Sequence, residues 1–173
     1  MSNFFDKSDL NRNEAETIVS DTLKKCDDGE LYLENSKSES ILLDDNKIKK
    51  SSYNSDLGFG FRAVSGEIVA YSHSNEISKN SLKQSSENLK STLKSAKGNY
   101  DYSIPKSNKK YYTNINPIEE KTLNSKIEIL NKVNEYLRKK DNNVKQVTAN
   151  FSVDFKFSED CFNEFFDISL ECE

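Results

Sequence analysis

Apolar residues recur along the chain with two different periods, and each period predicts a different kind of element. Spacings of three and four residues predict amphipathic helices over about 11–26, 78–98 and 122–140. Alternation of apolar and polar residues predicts strands, most clearly over 147–157 and in shorter runs at 30–35, 39–43, 47–53, 57–64 and 67–73. The pattern predicts an α+β fold, with a mostly antiparallel sheet of about five to six strands and helices packed on one face.

Turn and cap residues set the expected ends of these elements. Asp45-Asn46 tolerates positive φ between two apolar runs and predicts a two-residue hairpin turn. Asn13, with Glu16 three residues later, predicts the start of the first helix, and Ser78 predicts the N-cap of the second. Four residues of the third helix are expected to face the core: Ile127, Leu130, Val133 and Leu137.

A second hairpin is predicted around Ser65-Gly66. Pairing outward from a two-residue turn at these positions places Ala63 opposite Ile68 on the core face. On the other face the same register places Gly60 opposite Tyr71, whose ring can cover the gap left by a missing side chain. The glycines of this hairpin are therefore interpreted as architectural.

Composition and charge narrow the classes of function. A net charge of −4 and a pI near 5.3 argue against nucleic acid as a partner, because backbone binding needs a basic surface. The chain has no run near the roughly 18 apolar residues of a membrane helix, and its N-terminal stretch does not resemble a signal peptide. Three cysteines without a C-x-x-C pair indicate reduced thiols. We therefore expect a cytoplasmic protein that contacts neither nucleic acid nor a membrane.

Candidate chemistry is sparse. His73 is the only histidine, so a two-histidine metal site and the H-E-x-x-H motif are absent from this sequence. Glu39 is interpreted as a carboxylate that solvates a strand edge. Arg62 leaves two readings open, a clamp for the carboxylate of a peptide or partner chain and a structural ion pair. No catalytic, metal-binding or cofactor-binding residue is assigned.

The segment 29–78 nevertheless resembles a known family. The pattern Y-N-x-D-x-G-x-G-x-R-A-x-S-G-E, which starts at Tyr53, is similar to the N-terminal domain of the TldD/PmbA zinc metallopeptidases, on the TldD side. The likeness includes the helix 126–140 and Asn116-Pro117, and it extends over about Asn13 to Ser152. Four motif residues are expected to be structural and to be able to contact a peptide or partner: Gly58, Gly60, Arg62 and Gly66.

The resemblance implies a function and also its limits. Family members are cytosolic peptidases of small or unfolded peptides, and their zinc ligands lie in a C-terminal domain that has no counterpart in this sequence. It implies a TldD-like N-terminal domain at 1–152, with a long flap or linker at 99–118 and a divergent tail at 153–173. The expectation is a truncated, non-catalytic homologue whose partner is a TldD/TldE-type subunit or a separately encoded catalytic half. A stand-alone binding module and a decaying gene product remain as alternatives.

Overall fold

The structure, a computed structural model, describes residues 4–6, 8–94 and 116–160. The helices are α1 (Arg12–Leu23), α2 (Lys79–Thr92), α3 (Pro117–Glu120) and α4 (Leu123–Lys140). The strands are β1 (Asp28–Asp44), β2 (Lys47–Ser65), β3 (Ile68–Ser74) and β4 (Thr148–Asp160). In these ranges the strands form one sheet in the order β3-β2-β1-β4, which confirms the α+β prediction.

The strands are fewer and longer than predicted. The runs 30–35 and 39–43 belong to one strand, β1, and the runs 47–53 and 57–64 belong to β2. The polar residues between these runs interrupt the apolar alternation without ending the extended backbone. Two of these polar residues are hydrogen-bonded to each other between β1 and β2: the side-chain amide of Asn54 donates to Ser38 Oγ at 3.2 Å. Four described strands therefore replace the five to six that were predicted.

The described chain divides into two compact units. The first unit contains residues 4–6, 8–35, 56–94 and 157–160, and α1 and α2 pack together within it. Its core is a large apolar cluster in which Phe61 and Leu31 are completely buried. Inward residues of β1 and β2 alternate with outward ones, as the period of two requires. Other members of this cluster include Val19, Leu23, Cys26, Leu33, Phe59, Ala63, Ala70, Ile77, Leu82 and Leu89.

The second unit contains residues 36–55 and 116–156. Its apolar cluster is small, with Ile41, Leu43 and Leu130 buried. Ile127, Ala149 and Phe151 pack against this cluster while partly exposed. The Asp45-Asn46 turn lies in this unit, and φ is positive at both residues, as a type I′ hairpin requires.

Helix ends match the expected chemistry, with one correction. Helix α1 is capped by Asn11 and Glu14 in a full capping box, two residues before the predicted Asn13 and Glu16. The pattern Asn-x-x-Glu occurs at both places, and the box forms where helical geometry begins. Ser78 caps α2 as predicted, and its side chain accepts from the Ser81 amide.

Helix α4 begins and ends where predicted but buries a different face. Thr122 caps it, and the helix ends at Lys140. The buried residues are Lys126, Leu130 and Asn134, which follow one another at intervals of four. Val133 and Leu137, which were predicted to face the core, are 42% and 39% exposed. The prediction was wrong because buried polar partners, described below, orient this helix more strongly than its apolar pattern does.

The predicted alternation holds from Val147 into strand β4 as far as Asp154, with Val147 and Val153 buried and Ser152 and Asp154 exposed. It stops at Phe155, Lys156 and Phe157, which are all partly buried. The strand runs without a break past residue 152, and the boundary predicted at that residue stays a prediction. Residues 99–115 of the predicted flap and 161–173 of the predicted tail lie outside the described ranges. At the end of the flap, the Asn116 side chain caps α3 by accepting from the Ile118 amide at 3.0 Å.

Candidate functional site

The four residues of the family motif lie on β2 and the turn that follows it, in the first unit. Ser65 pairs with Ile68, so the turn is formed by Gly66 and Glu67 instead of the predicted Ser65-Gly66. Gly66 has φ of +59°, and glycine at the first central position is typical of a type II′ turn. Its amide donates to Asp27 Oδ2 at 2.6 Å. The need for positive φ at this position shifts the pairing by two residues from the predicted register.

The shifted register changes which residues face each other. Gly60 pairs with His73, and Arg62 pairs with Tyr71. Tyr71 still covers Gly60, but from a diagonal position: a Cβ added at Gly60 would lie 2.6 Å from Tyr71 Oη. Ile68, which the predicted register placed on the core face, is 45% exposed beside the turn.

Gly58 is required by a close approach of two backbones. A Cβ at this position would lie 2.5 Å from the carbonyl oxygen of Ser74, which belongs to the neighbouring strand. A backbone oxygen cannot move aside as the end of a flexible side chain can. Glycine thus occurs at positions 58, 60 and 66 for three different structural reasons, and none of them involves a bound phosphate.

Arg62 forms ion pairs within the chain. Its Nε donates to Glu30 Oε1 at 2.8 Å, and its Nη2 donates to Asp28 Oδ2 at 2.7 Å. The hydrogen bonds that it donates, first to Glu30 and then to Asp28, raise the pKa of the Arg62 guanidinium further. The geometry favours the structural ion pair, because a carboxylate of another molecule would compete with two carboxylates already in place. A contact of the four motif residues with a peptide or partner stays a prediction.

A shallow cleft of about 210 Å³ opens beside these glycines, and we call it the glycine cleft. Gly58 and Gly60 lie in it, and the Tyr71 ring, 65% exposed, lines one side. Tyr32 and Glu34 also line it, and the Tyr32 hydroxyl donates to Glu34 Oε2 at 2.7 Å. Two aromatic rings and bare backbone form a surface suited to an extended peptide with an apolar or cationic side chain.

Strand β3 is an outer strand of the described sheet. Three of its large apolar side chains are exposed: Ile68 at 45%, Val69 at 60% and Tyr71 at 65%. We call these residues the β3 edge. An outer strand presents backbone donors and acceptors that can pair with another chain, and exposed apolar side chains strengthen that tendency.

A buried ion pair in the second unit was missed by the sequence analysis. Lys126 Nζ on α4 contacts Glu39 Oε2 on β1, and it donates to the carbonyl oxygen of Ile118 at 2.7 Å. The side chains of Lys126 and Glu39 are only 3% and 10% exposed. The interpretation of Glu39 as an edge-solvating carboxylate was therefore wrong. The available signal was a lysine four residues before Leu130, on the same helical face.

A second polar contact lies further along the same helix face. The buried Asn134 side chain donates to Asn46 Oδ1 in the hairpin turn, and Arg138 forms an ion pair with Asp45. Asp44, beside the turn, accepts from Gln146 at 2.8 Å, which lowers the pKa of its carboxyl group. Helix α4 is thus held to the β1-β2 turn by polar side chains.

The structure also bears on metals, membranes and thiols. Across the described ranges, no three His, Cys, Asp or Glu side chains are grouped so that they could hold a metal ion. None of the helices described here combines the length and the apolar character that crossing a membrane demands.

Cys26 is buried in the core of the first unit, and this burial raises the pKa of its thiol. The cytoplasmic location stays a prediction.

Together, the helices and the four-stranded sheet of the described ranges define an α+β domain. Residues 29–99 match PmbA/TldA metallopeptidase domain 1. The chain is a homologue of the N-terminal domain of the PmbA/TldD family, and the resemblance seen in the sequence is confirmed.

Two curated relatives are metalloprotease TldD homologues. That of Buchnera aphidicola subsp. Schizaphis graminum is 33% identical over 148 residues, which make up 84% of this chain and 31% of the relative. That of Haemophilus influenzae is 34% identical over 135 residues, 75% of this chain and 27% of the relative. The chain therefore spans less than a third of the length of these relatives.

Solved structures share the fold. TldE from Thermococcus kodakarensis matches 89% of this chain and 36% of its own, with a TM-score of 0.58 and 18% identity. A putative modulator of a DNA gyrase from Thermotoga maritima matches 92% of this chain and 37% of its own, with a TM-score of 0.63 and 12% identity. At these identities the likeness concerns the fold alone.

Proposed function

We propose that this chain is the non-catalytic N-terminal module of a TldD-like peptidase system. It docks on a TldD/TldE-type catalytic part and so contributes to the proteolysis of small or unfolded peptides. By itself it does not hydrolyse peptides, because this function needs zinc ligands that the TldD/PmbA resemblance places in another domain. The observation that carries the proposal is the match of most of this chain to less than a third of each TldD homologue.

The β3 edge supports docking by strand addition. It is an outer strand of the described sheet, and its exposed apolar side chains are Ile68, Val69 and Tyr71. Strand addition uses backbone hydrogen bonds for affinity and neighbouring pockets for the choice of side chain. The glycine cleft lies next to this edge, since Tyr71 belongs to both. A strand of the catalytic part can therefore pair with β3 and place a side chain in the cleft.

Co-expression with a catalytic part tests this proposal. The partner is the portion of the Haemophilus influenzae TldD homologue that this chain does not match. We expect the two polypeptides to purify together, and we expect zinc-dependent cleavage of an unstructured fluorogenic peptide by the pair only. The double substitution Val69→Lys and Tyr71→Lys should lower the affinity between the two polypeptides about 30-fold and so reduce copurification, since charged side chains block strand edges.

The matched control is Gln84→Lys, which adds a positive charge at an exposed position of α2 in the same unit. This variant should copurify like the unchanged chain. Equal copurification of the edge variant and the control would exclude the β3 edge as the docking site. Failure of the unchanged chain to copurify would overturn the proposal.

The glycine cleft favours a second candidate function, a stand-alone peptide-binding module. Its tyrosines and its carboxylates, Glu34 and Asp56, suit a peptide with a lysine or arginine side chain. This function predicts saturable binding of such peptides to the isolated chain, measured by calorimetry, and a loss of binding in Tyr71→Ala. Absence of saturable binding would leave docking as the only function that the geometry supports.

A further inference from the structure

Helix α4 carries more apolar surface than the second unit covers. Lys126, Leu130 and Asn134 form its buried face. Four apolar residues that lie mainly to one side of this face remain exposed, and we call them the apolar strip: Ile129 at 38%, Val133 at 42%, Tyr136 at 60% and Leu137 at 39%. Their spacing of four, three and one residues places them on one flank of the helix.

The rest of α4 shows that the strip is not a general feature of its surface. Residues on the far side of the helix are polar and exposed: Asn124, Glu128, Asn131, Lys132, Glu135 and Lys139. The exposed apolar residues named above are therefore confined to one flank of the helix, beside its buried face. Scattered exposed apolar residues are ordinary, whereas a continuous strip is typical of a contact surface. Within the described chain, Tyr136 is in contact with Lys140, whose Nζ lies 5.5 Å from the ring centroid.

The orientation of α4 is fixed by polar contacts, which keep the strip outward. Rotation of the helix to bury Val133 would separate Lys126 from Glu39 and Asn134 from Asn46. A buried charge or amide that loses its partner costs on the order of several times what one exposed valine gains by burial. The strip therefore cannot be covered by a simple rotation within this unit.

We propose that the apolar strip is covered by the catalytic part of a TldD-like protein, and this inference rests on the proposed function. The strip exposes on the order of 400 Å², judged from the exposed fractions and ordinary side-chain sizes. A stable dimer needs about 800 Å² on each partner, so the strip alone does not suit a second copy of this chain. It suits a polypeptide that is also held by another contact or by a chain connection. The relatives supply such a polypeptide, because more than two thirds of their length lies outside the match.

The test uses the full chain with the same Haemophilus influenzae catalytic part, whose affinity is measured by calorimetry. The variant Val133→Glu with Tyr136→Glu places two charges on the strip. The control variant Asn124→Glu with Asn131→Glu adds the same charge to the polar side of the same helix. We expect the strip variant to bind about 30-fold more weakly and the control to bind within about twofold of the unchanged chain. Backbone amides of 129–137 should exchange hydrogen more slowly in the complex.

Three results would overturn the inference, each in a recognisable way. Equal binding by the strip variant and the control, without slower exchange at 129–137, would refute the strip while leaving docking intact. A dimer of the isolated chain that the strip variant dissolves, seen by sedimentation, would identify a second copy as the occupant. No binding by the unchanged chain would remove the proposed function and this inference together. Circular dichroism checks folding, and Val133→Ser with Tyr136→Ser replaces the charged variant if that variant unfolds.

Discussion

The two units of the molecule are stabilised in different ways. The first unit buries a large apolar cluster that includes Phe61 and Leu31, and its Lys79-Glu14 and Lys90-Asp21 ion pairs are largely exposed. The second unit has a small apolar cluster and places the Lys126-Glu39 ion pair beside it. Apolar burial is non-directional, whereas a buried ion pair requires one geometry. The comparison teaches that hydrophobic patterns describe the first unit well and the orientation of α4 poorly.

The largest expected effect comes from the core of the first unit. Phe61→Ala should lower the free energy of unfolding by about 4 kcal/mol, because the ring is completely buried and its loss leaves a cavity. Urea denaturation followed by circular dichroism measures this change. Leu57→Ala, on the same strand but 43% exposed, is the control and should cost less than about 1 kcal/mol. Similar losses for both variants would contradict the assigned core.

A slightly smaller effect is expected in the second unit. Lys126→Met should cost about 3 kcal/mol, because it leaves the Glu39 carboxylate buried without its cation. Adding Glu39→Leu should recover at least about half of that loss, since the second change removes the unpaired charge. A double-mutant cycle in urea measures the recovery. A double variant no more stable than Lys126→Met would show that the buried pair is not what orients α4.

The motif glycines should differ from each other. Gly58→Ala should cost about 2 kcal/mol, because the new Cβ meets the fixed carbonyl oxygen of Ser74. Gly60→Ala should cost less than about 1 kcal/mol, because the Cβ meets the end of the exposed Tyr71 side chain, which can rotate away. Thermal unfolding of the two variants gives the order, and a reversed order would refute these contacts.

The smallest effect concerns surface ion pairs of the first unit in acid. Hydrogen bonds from Lys79 to Glu14 and from Lys90 to Asp21 lower the pKa of each carboxyl group from ordinary values of 4.5 and 3.8. A lowered folded-state pKa stabilises the fold above the unfolded-state value, and this stabilisation is lost as the pH falls through the folded-state pKa. The melting temperature should therefore decrease as the pH is lowered below about 4.5. This decrease should be less steep in Lys79→Gln and at high salt concentration. Identical acid profiles for Lys79→Gln and the unchanged chain would contradict a role of the Glu14 pair.

Much of the fold follows from local patterns. The cap at Ser78 and the turn at Asp45-Asn46 depend on a few neighbouring residues, and both were predicted. The register of the second hairpin depended on which of two positions Gly66 takes in the turn, which alternation alone does not decide. The predicted face of α4 was wrong because its partners, Glu39 and Asn46, are more than 80 residues away in the chain.

The site was predictable to a similar extent. The motif around Gly58, Gly60, Arg62 and Gly66 was found from the sequence, and a Cβ at Gly58 or Gly60 would meet atoms of β3. The two carboxylates that form ion pairs with Arg62 were not predicted, because cross-strand partners depend on the pairing of β1 with β2. The glycine cleft could not be predicted either, since it depends on the diagonal position of the Tyr71 ring.

The ring of Tyr71 also lies beside that of His73, with the two centroids 6.0 Å apart and the planes within 27°. Because this is the only imidazole of the chain, its carbon-bound protons give isolated signals in a nuclear magnetic resonance spectrum. Stacked rings shift each other's resonances, so any polypeptide that displaces Tyr71 will move the His73 signals. The molecule thus contains its own spectroscopic reporter for the face that we assign to its partner, with no label required.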